Sequence, residues 1–177
     1  MSSEQQKRRK ILILSALRFV GDASRLPGVE RIAIIGSICT TKPNPKDIDL
    51  LVTTTSSVDM AKLAKLGRRL KGKSQSINCG ADIFVVDATG NYLGRTCRWS
   101  DCRTGIRMSC EALNCGRIQY LYDDTQNIRL DRKQILDPPV VVYPSLVVRT
   151  NIPKDLREQI ILEFGHSDGC APSRHSE

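Results

Sequence analysis

The sequence predicts an α/β (α+β) domain. Segments with helical spacing alternate with short runs rich in β-branched residues over residues 4–87, which is the pattern of strands covered by helices. The chain has 177 residues, 40% of them hydrophobic, enough for one domain with a real core. No apolar run approaches the roughly 20 residues that a membrane span needs.

Residues 4–20 carry Ile11, Leu14, Leu17 and Phe19 or Val20 between lysines and arginines, which predicts an amphipathic helix with one buried stripe. Gly21-Asp22 would end it, and Leu26-Pro27-Gly28 reads as a turn. Residues 29–35, with Val29, Ile32, Ile34 and Ile35, predict a first strand. A short helix over 37–41 would stop at Pro43-Asn44-Pro45. Residues 47–53 predict a second strand. Strand side chains alternate, so Asp47, Asp49 and Leu51 share one face and Ile48, Leu50 and Val52 the other. Ser56 or Ser57 would cap a helix over 58–70, with Asp59 in its first turn. Its inner stripe is Leu63, Leu66 and Leu70, and its outer face holds Lys62, Lys65, Arg68, Arg69 and Lys71. A third strand over 81–87 sets Asp82, Phe84 and Val86 on one face and Ile83, Val85 and Asp87 on the other.

After the turn signal at 88–91 the texture changes. Residues 92–117 are rich in cysteine and arginine and show no clear periodicity. Short strands are expected at 118–122 and 146–148, with a polar stretch over 123–134 between them and an extended segment over 138–142. Pro153 opens a last amphipathic helix to residue 164, with Leu156, Ile160, Ile161 and Phe164 inward. The chain thus divides into a core over 1–90, a four-cysteine segment over 91–117, strands and a helix packing on the core over 118–165, and a tail over 166–177.

The formal charge of +8 favours a polyanionic partner, either nucleoside triphosphates or nucleic acid. Aromatic residues make up only 5%, which speaks against a base-stacking platform. Lys7, Arg8, Arg9 and Lys10 precede an apolar run in the manner of a secretory leader. The run is broken at Ser15 and Arg18 and no small-residue cleavage site follows, so a cytoplasmic protein with no membrane partner is expected.

One stretch carries the chemistry. Residues 32–52 read IAIIGSICTTKPNPKDIDLLV: an apolar strand, Gly36-Ser37, nine residues, then Asp47-Ile48-Asp49. A third acid, Asp82, opens the next long strand, and Asp87 at its end looks like a turn residue. Three converging carboxylates repel unless a cation neutralises them, and Mg²⁺ takes hard oxygen ligands of this kind. Gly36 would let the backbone approach a phosphate, and Ser37 with neighbouring amides would donate to it. Lys42 and Lys46 are long enough to reach phosphates and equally at home in solvent.

This pattern resembles the polymerase-β-like nucleotidyltransferase superfamily, especially its small bacterial members. That family's motif is an apolar strand, Gly-Ser or Gly-Gly, a gap, then Asp-apolar-Asp/Glu-apolar and a later third acid. Here Ile34-Ile35-Gly36-Ser37, Asp47-Ile48-Asp49-Leu50 and Asp82-Ile83-Phe84 match it, over about residues 30–87. The resemblance implies a small mixed sheet flanked by helices. It implies that Asp47 and Asp49 hold Mg²⁺, that Asp82 joins them and helps activate an acceptor hydroxyl, and that Gly36, Ser37 and Lys46 bind the triphosphate. The acceptor it implies is an RNA such as tRNA, a protein side chain or a small molecule such as an aminoglycoside. A toxin–antitoxin role acting on RNA or a partner protein is suggested by the same resemblance alone.

Cys97, Cys102, Cys110 and Cys115 follow a Cys-x4-Cys-x7-Cys-x4-Cys spacing. Four thiolates suit a structural Zn²⁺, although the usual gap is two residues; an iron–sulfur cluster and plain thiols are the alternatives. Zinc would explain how a segment poor in apolar residues holds a shape. Arg95, Arg98, Arg103, Arg107 and Arg117 lie in the same region, where they would hold acceptor phosphates or serve as surface charge; Trp99 would stack a base or anchor the segment. Cys39 and Cys79 read as buried small hydrophobes, and His166, Cys170 and His175 fall in the tail. The competing functional reading is a non-catalytic, zinc-stabilised module that binds nucleic acid or protein.

Overall fold

The order of the strands follows from where the chain has to return. A computed structural model describes residues 2–98, 100, 102, 118–122 and 130–165. Helix α1 (Ser3–Ala23) leads into strand β1 (Val29–Ile35), a 3₁₀ turn (Gly36–Cys39) and strand β2 (Asp47–Thr54). Helix α2 (Met60–Gln75) then carries the chain back so that β3 (Gly80–Asp87) runs parallel to β2. Strands β4 (Tyr92–Thr96) and β5 (Leu121–Tyr122) extend the sheet on the β3 side. Helix α3 (Arg132–Leu136), strands β6 (Val140–Tyr143) and β7 (Val147–Val148) and helix α4 (Lys154–Phe164) complete the described elements. The sheet is mixed, in the order β5-β4-β3-β2-β1-β6-β7, with β2 and β3 its parallel pair.

The two faces of this sheet are unlike. Ile48, Leu50, Val52, Ile83 and Val85 turn to one side, where they pack with Leu12, Ile13, Leu17 and Val20 of α1, Leu63 and Leu70 of α2 and Leu156 and Ile160 of α4. The other side carries a smaller cluster of Ala33, Ile35, Leu51, Val86 and Val141, with Ile135 of α3 against it. Helices therefore cover one face fully, while the acid-bearing end of the other stays accessible. Among the described residues no helix is long and apolar enough to cross a membrane.

Several expected boundaries shift. Helix α1 runs past Gly21-Asp22 to Ala23, because Val20 and Ala23 are fully buried and hold the last turn on the core. Its buried stripe is Leu12, Ile13, Ala16, Leu17, Phe19, Val20 and Ala23, so Ile11 is only partly buried and Leu14 is 37% exposed. The rotation is set by Arg9, which is buried at 3% and donates to the Ile38 carbonyl at 2.7 Å and to Asp155 of α4. Helix α2 starts later and ends later than expected. Asp59, not a serine, caps it by accepting from the Lys62 amide at 3.0 Å. Strand β4 lies in a segment whose sequence shows no periodicity, since Gly94 and Arg95 interrupt the apolar pattern. Helix α3 is capped by Asp131 inside a stretch expected to be a polar connection. On α4 Leu156 and Ile160 face inward, but Ile161 is 48% exposed.

Candidate active site

Parallel pairing of β2 with β3 brings the acids together. The register sets Asp47 beside Gly80 and Asp49 beside Asp82, all on the face away from α1 and α2. Antiparallel pairing of β1 with β2 sets Ile35 beside Asp49, so Gly36 arrives at the same end of the sheet. Gly36 has φ +75°, and a Cβ there would collide with Asp49 Oδ2. A Cβ on Gly80 would come within 2.7 Å of Asp47 Oδ1. Glycine at these two positions is what admits the two carboxylates.

The site is electrostatically tense. Burial pushes the Asp49 carboxyl up to about 7, and the charges of Asp82 and Asp47 push it the same way, while Arg95 pulls it down. Asp82 is 31% exposed and lies between two cations: Arg95 Nη1 is 3.2 Å from its Oδ2 and Lys71 Nζ 3.7 Å from its Oδ1. Asp47 is exposed. Ser37 is half-buried, and its hydroxyl has no hydrogen-bond partner among the described residues. Lys46 is exposed beside Asp47, and its carbonyl accepts from the Gly80 amide at 2.7 Å, which ties the loop before β2 to the start of β3.

Among the described residues no three His, Cys, Asp or Glu side chains stand ready as a metal cage. The two oxygens of Asp82 face Arg95 and Lys71. The donor set nonetheless fits a hard divalent cation: three carboxylates, mutually repelling, beside a glycine cradle that leaves room at Asp49.

Asp82, not Asp87, belongs to this group. Asp87 sits at the far end of β3 and closes the turn to β4. The Thr89 hydroxyl and the Asn91 side chain and amide donate to it and hold its carboxyl down at about 2. Lys71, expected on the outer face of its helix, reaches Asp82 from there, a contact that helical spacing does not record. Sequence reasoning also missed Arg95 as the partner of Asp82, because β4 was not legible. Cys97 is buried and Cys102 half-buried near the β4–β5 end, where Tyr120 donates its amide to Cys102 Sγ at 3.3 Å. Cys110, Cys115, Arg103, Arg107, Arg117, Trp99, His166, Cys170 and His175 lie outside the described residues. Cys39 and Cys79 are buried, as small hydrophobes would be; burial drives the Cys39 thiol up to about 12.

A protein-family model matches residues 2–109, more than half of the chain. The chain belongs to DUF6932, a family of unknown function. The DUF6932 match runs from α1 through β4 and so includes every carboxylate of the site, Gly36, Ser37, Lys46, Lys71 and Arg95. No curated protein and no solved structure matches the chain.

Proposed function

We propose that this member of DUF6932 is a Mg²⁺-dependent nucleotidyltransferase that moves a nucleoside monophosphate from a triphosphate to an acceptor hydroxyl. The observation that carries the proposal is the register of β2 and β3, with Asp49 opposite Asp82, Asp47 on the same face and Gly36-Ser37 at the same end. Asp47 and Asp49 would hold the cation, with Asp82 beside them. When bound, it supplies charge neutralisation and Lewis-acid polarisation of a phosphoryl oxygen. Gly36 lets the backbone come close to the triphosphate, the Ser37 hydroxyl donates to it, and Lys46 adds positive charge. Asp82, partly exposed, accepts the proton of the attacking hydroxyl. Arg95 and Lys71 neutralise Asp82 until substrate arrives.

The test is transfer of label from an α-labelled triphosphate to RNA or protein, followed by mass spectrometry of the product. Labelled acceptor is expected with the native protein and its loss, by at least about 10²-fold, with Asp47→Asn/Asp49→Asn. Equal labelling by the double variant would overturn the proposal. One observation favours a second reading: the ion pairs at Asp82 already satisfy that carboxylate without a metal, as a non-catalytic binding module would require. That module would release no pyrophosphate with any triphosphate. On either reading, the spacing of Cys97, Cys102, Cys110 and Cys115 supports a structural Zn²⁺, expected at about one ion per purified chain.

A further inference from the structure

Beside the acids lies a row of side chains of which the transfer chemistry uses only Arg95, through its ion pair with Asp82. Pairing of β3 with β4 and of β4 with β5 places Phe84, Arg95 and Tyr122 side by side across three strands. Phe84 is two residues from Asp82, so the row is on the acid-bearing face. The Arg95 guanidinium sits 5.9 Å from the Phe84 ring centroid and 5.6 Å from that of Tyr122. Tyr92 adds a third ring, with its centroid 6.4 Å from that of Phe84. The chain has only one Trp, four Tyr and three Phe, yet three of these rings gather here, half-buried, one step along the sheet from Asp82. Lys71 and Arg95 supply positive charge at the join between row and acids.

Sheet order gives this row a side. Gly36-Ser37 lies on the β1 side of the acids and the row on the β4 side, with Asp49 and Asp82 between. In-line phosphoryl transfer sets the attacking and leaving oxygens on opposite sides of the phosphorus. If the triphosphate tail lies toward Gly36-Ser37, the acceptor enters over the row. Rings interleaved with cations suit a ligand with π-faced bases on an anionic backbone, which is single-stranded nucleic acid.

We infer that Phe84, Arg95, Tyr122 and Tyr92 form the docking surface for a single-stranded nucleic-acid acceptor, its base stacked on the rings and its phosphate at Arg95. Naming this ligand the acceptor rests on the transfer reading above; the binding itself does not.

The test is fluorescence anisotropy with labelled single strands of about ten nucleotides, one ribo and one deoxyribo, whose comparison tells which backbone is preferred. No triphosphate is present. The native chain and Asp47→Asn/Asp49→Asn are expected to bind alike, or the variant more tightly. Tyr122→Leu and Phe84→Leu keep apolar volume but lose the π-face, and each is expected to weaken binding about tenfold. Arg95→Gln is expected to lower the slope of log affinity against log salt by about 0.7, one phosphate contact, with Arg95→Lys restoring the slope but not the full affinity. Circular dichroism melts identify any variant that fails to fold, and the remaining ones decide. No binding by the native chain, or equal binding by every folded variant, would overturn the inference. So would weaker binding of free triphosphate by Tyr122→Leu with the oligonucleotide unaffected, since the row would then hold the donor base. Loss of transfer activity with oligonucleotide binding intact would sink the catalytic reading alone. Transfer with binding insensitive to the row would sink the row alone.

Discussion

Burial and the charges of Asp82 and Asp47 all disfavour the ionised form of Asp49. Its neighbours follow simply from alternation: Asp47 two residues back on the same strand, Asp82 across a parallel pair, Gly36 across an antiparallel one. A carboxyl whose folded pKa is about 7, against an ordinary 3.8, takes up protons on folding between those values. Its penalty is therefore absent below about pH 4, grows as the pH rises from 4 to 7, and is complete above 7. Asp49→Asn should accordingly raise stability at pH 8 by about 1–3 kcal/mol, with the gain disappearing by pH 4. Thermal unfolding at pH 4, 6 and 8 checks this, and a gain that does not change with pH contradicts it. A carboxylate that lowers stability where it is ionised is the pattern expected of a binding or catalytic group, and it fits the proposed site. Asp47 and Asp49 were legible as a pair from strand alternation, while Gly36 and Asp82 joined them through the order of the strands and the nucleotidyltransferase resemblance. Arg95 and Lys71 were not, because both reach Asp82 through packing between elements that no local pattern records.

At the scale of elements, β1, β2 and β3 were legible almost residue for residue, since their β-branched runs are short and bounded by turn residues. The rotation of α1 was not. Ile11, Leu12, Ile13 and Leu14 are consecutive, so hydrophobicity there has no phase. Arg9 decides it, by reaching under the 3₁₀ turn to the Ile38 carbonyl and across to Asp155. This one guanidinium ties α1, the turn that carries Ser37 and the last helix together. Arg9→Met should therefore cost about 1–3 kcal/mol in urea unfolding, moderated by the half-exposure of Asp155, which water can solvate. A loss below about 0.5 kcal/mol would show that the turn is held by other contacts. Strand β4 stayed hidden because Gly94 and Arg95 read as loop residues. Its existence depends on the β3 edge it covers, a long-range condition.

For the molecule as a whole, the α/β class was legible from the alternation of segments, but the division of labour between the two faces of the sheet was not. The larger core, with α1, α2 and α4, makes one face structural. The opposite face carries the carboxylates at one end and, beside them, the rings of Phe84, Tyr92 and Tyr122. Composition says how many rings there are, and the strand register says where they meet. The same register makes the central claim direct to test: that the carboxylates form a divalent-cation and triphosphate site. The deciding measurement is calorimetric titration with a non-hydrolysable triphosphate, with and without Mg²⁺. The account predicts Mg²⁺-dependent binding by the native chain and its loss in Asp47→Asn/Asp49→Asn, while the variant melts no lower than the native chain at pH 8. Binding that is equal in both proteins, or that ignores Mg²⁺, would contradict it.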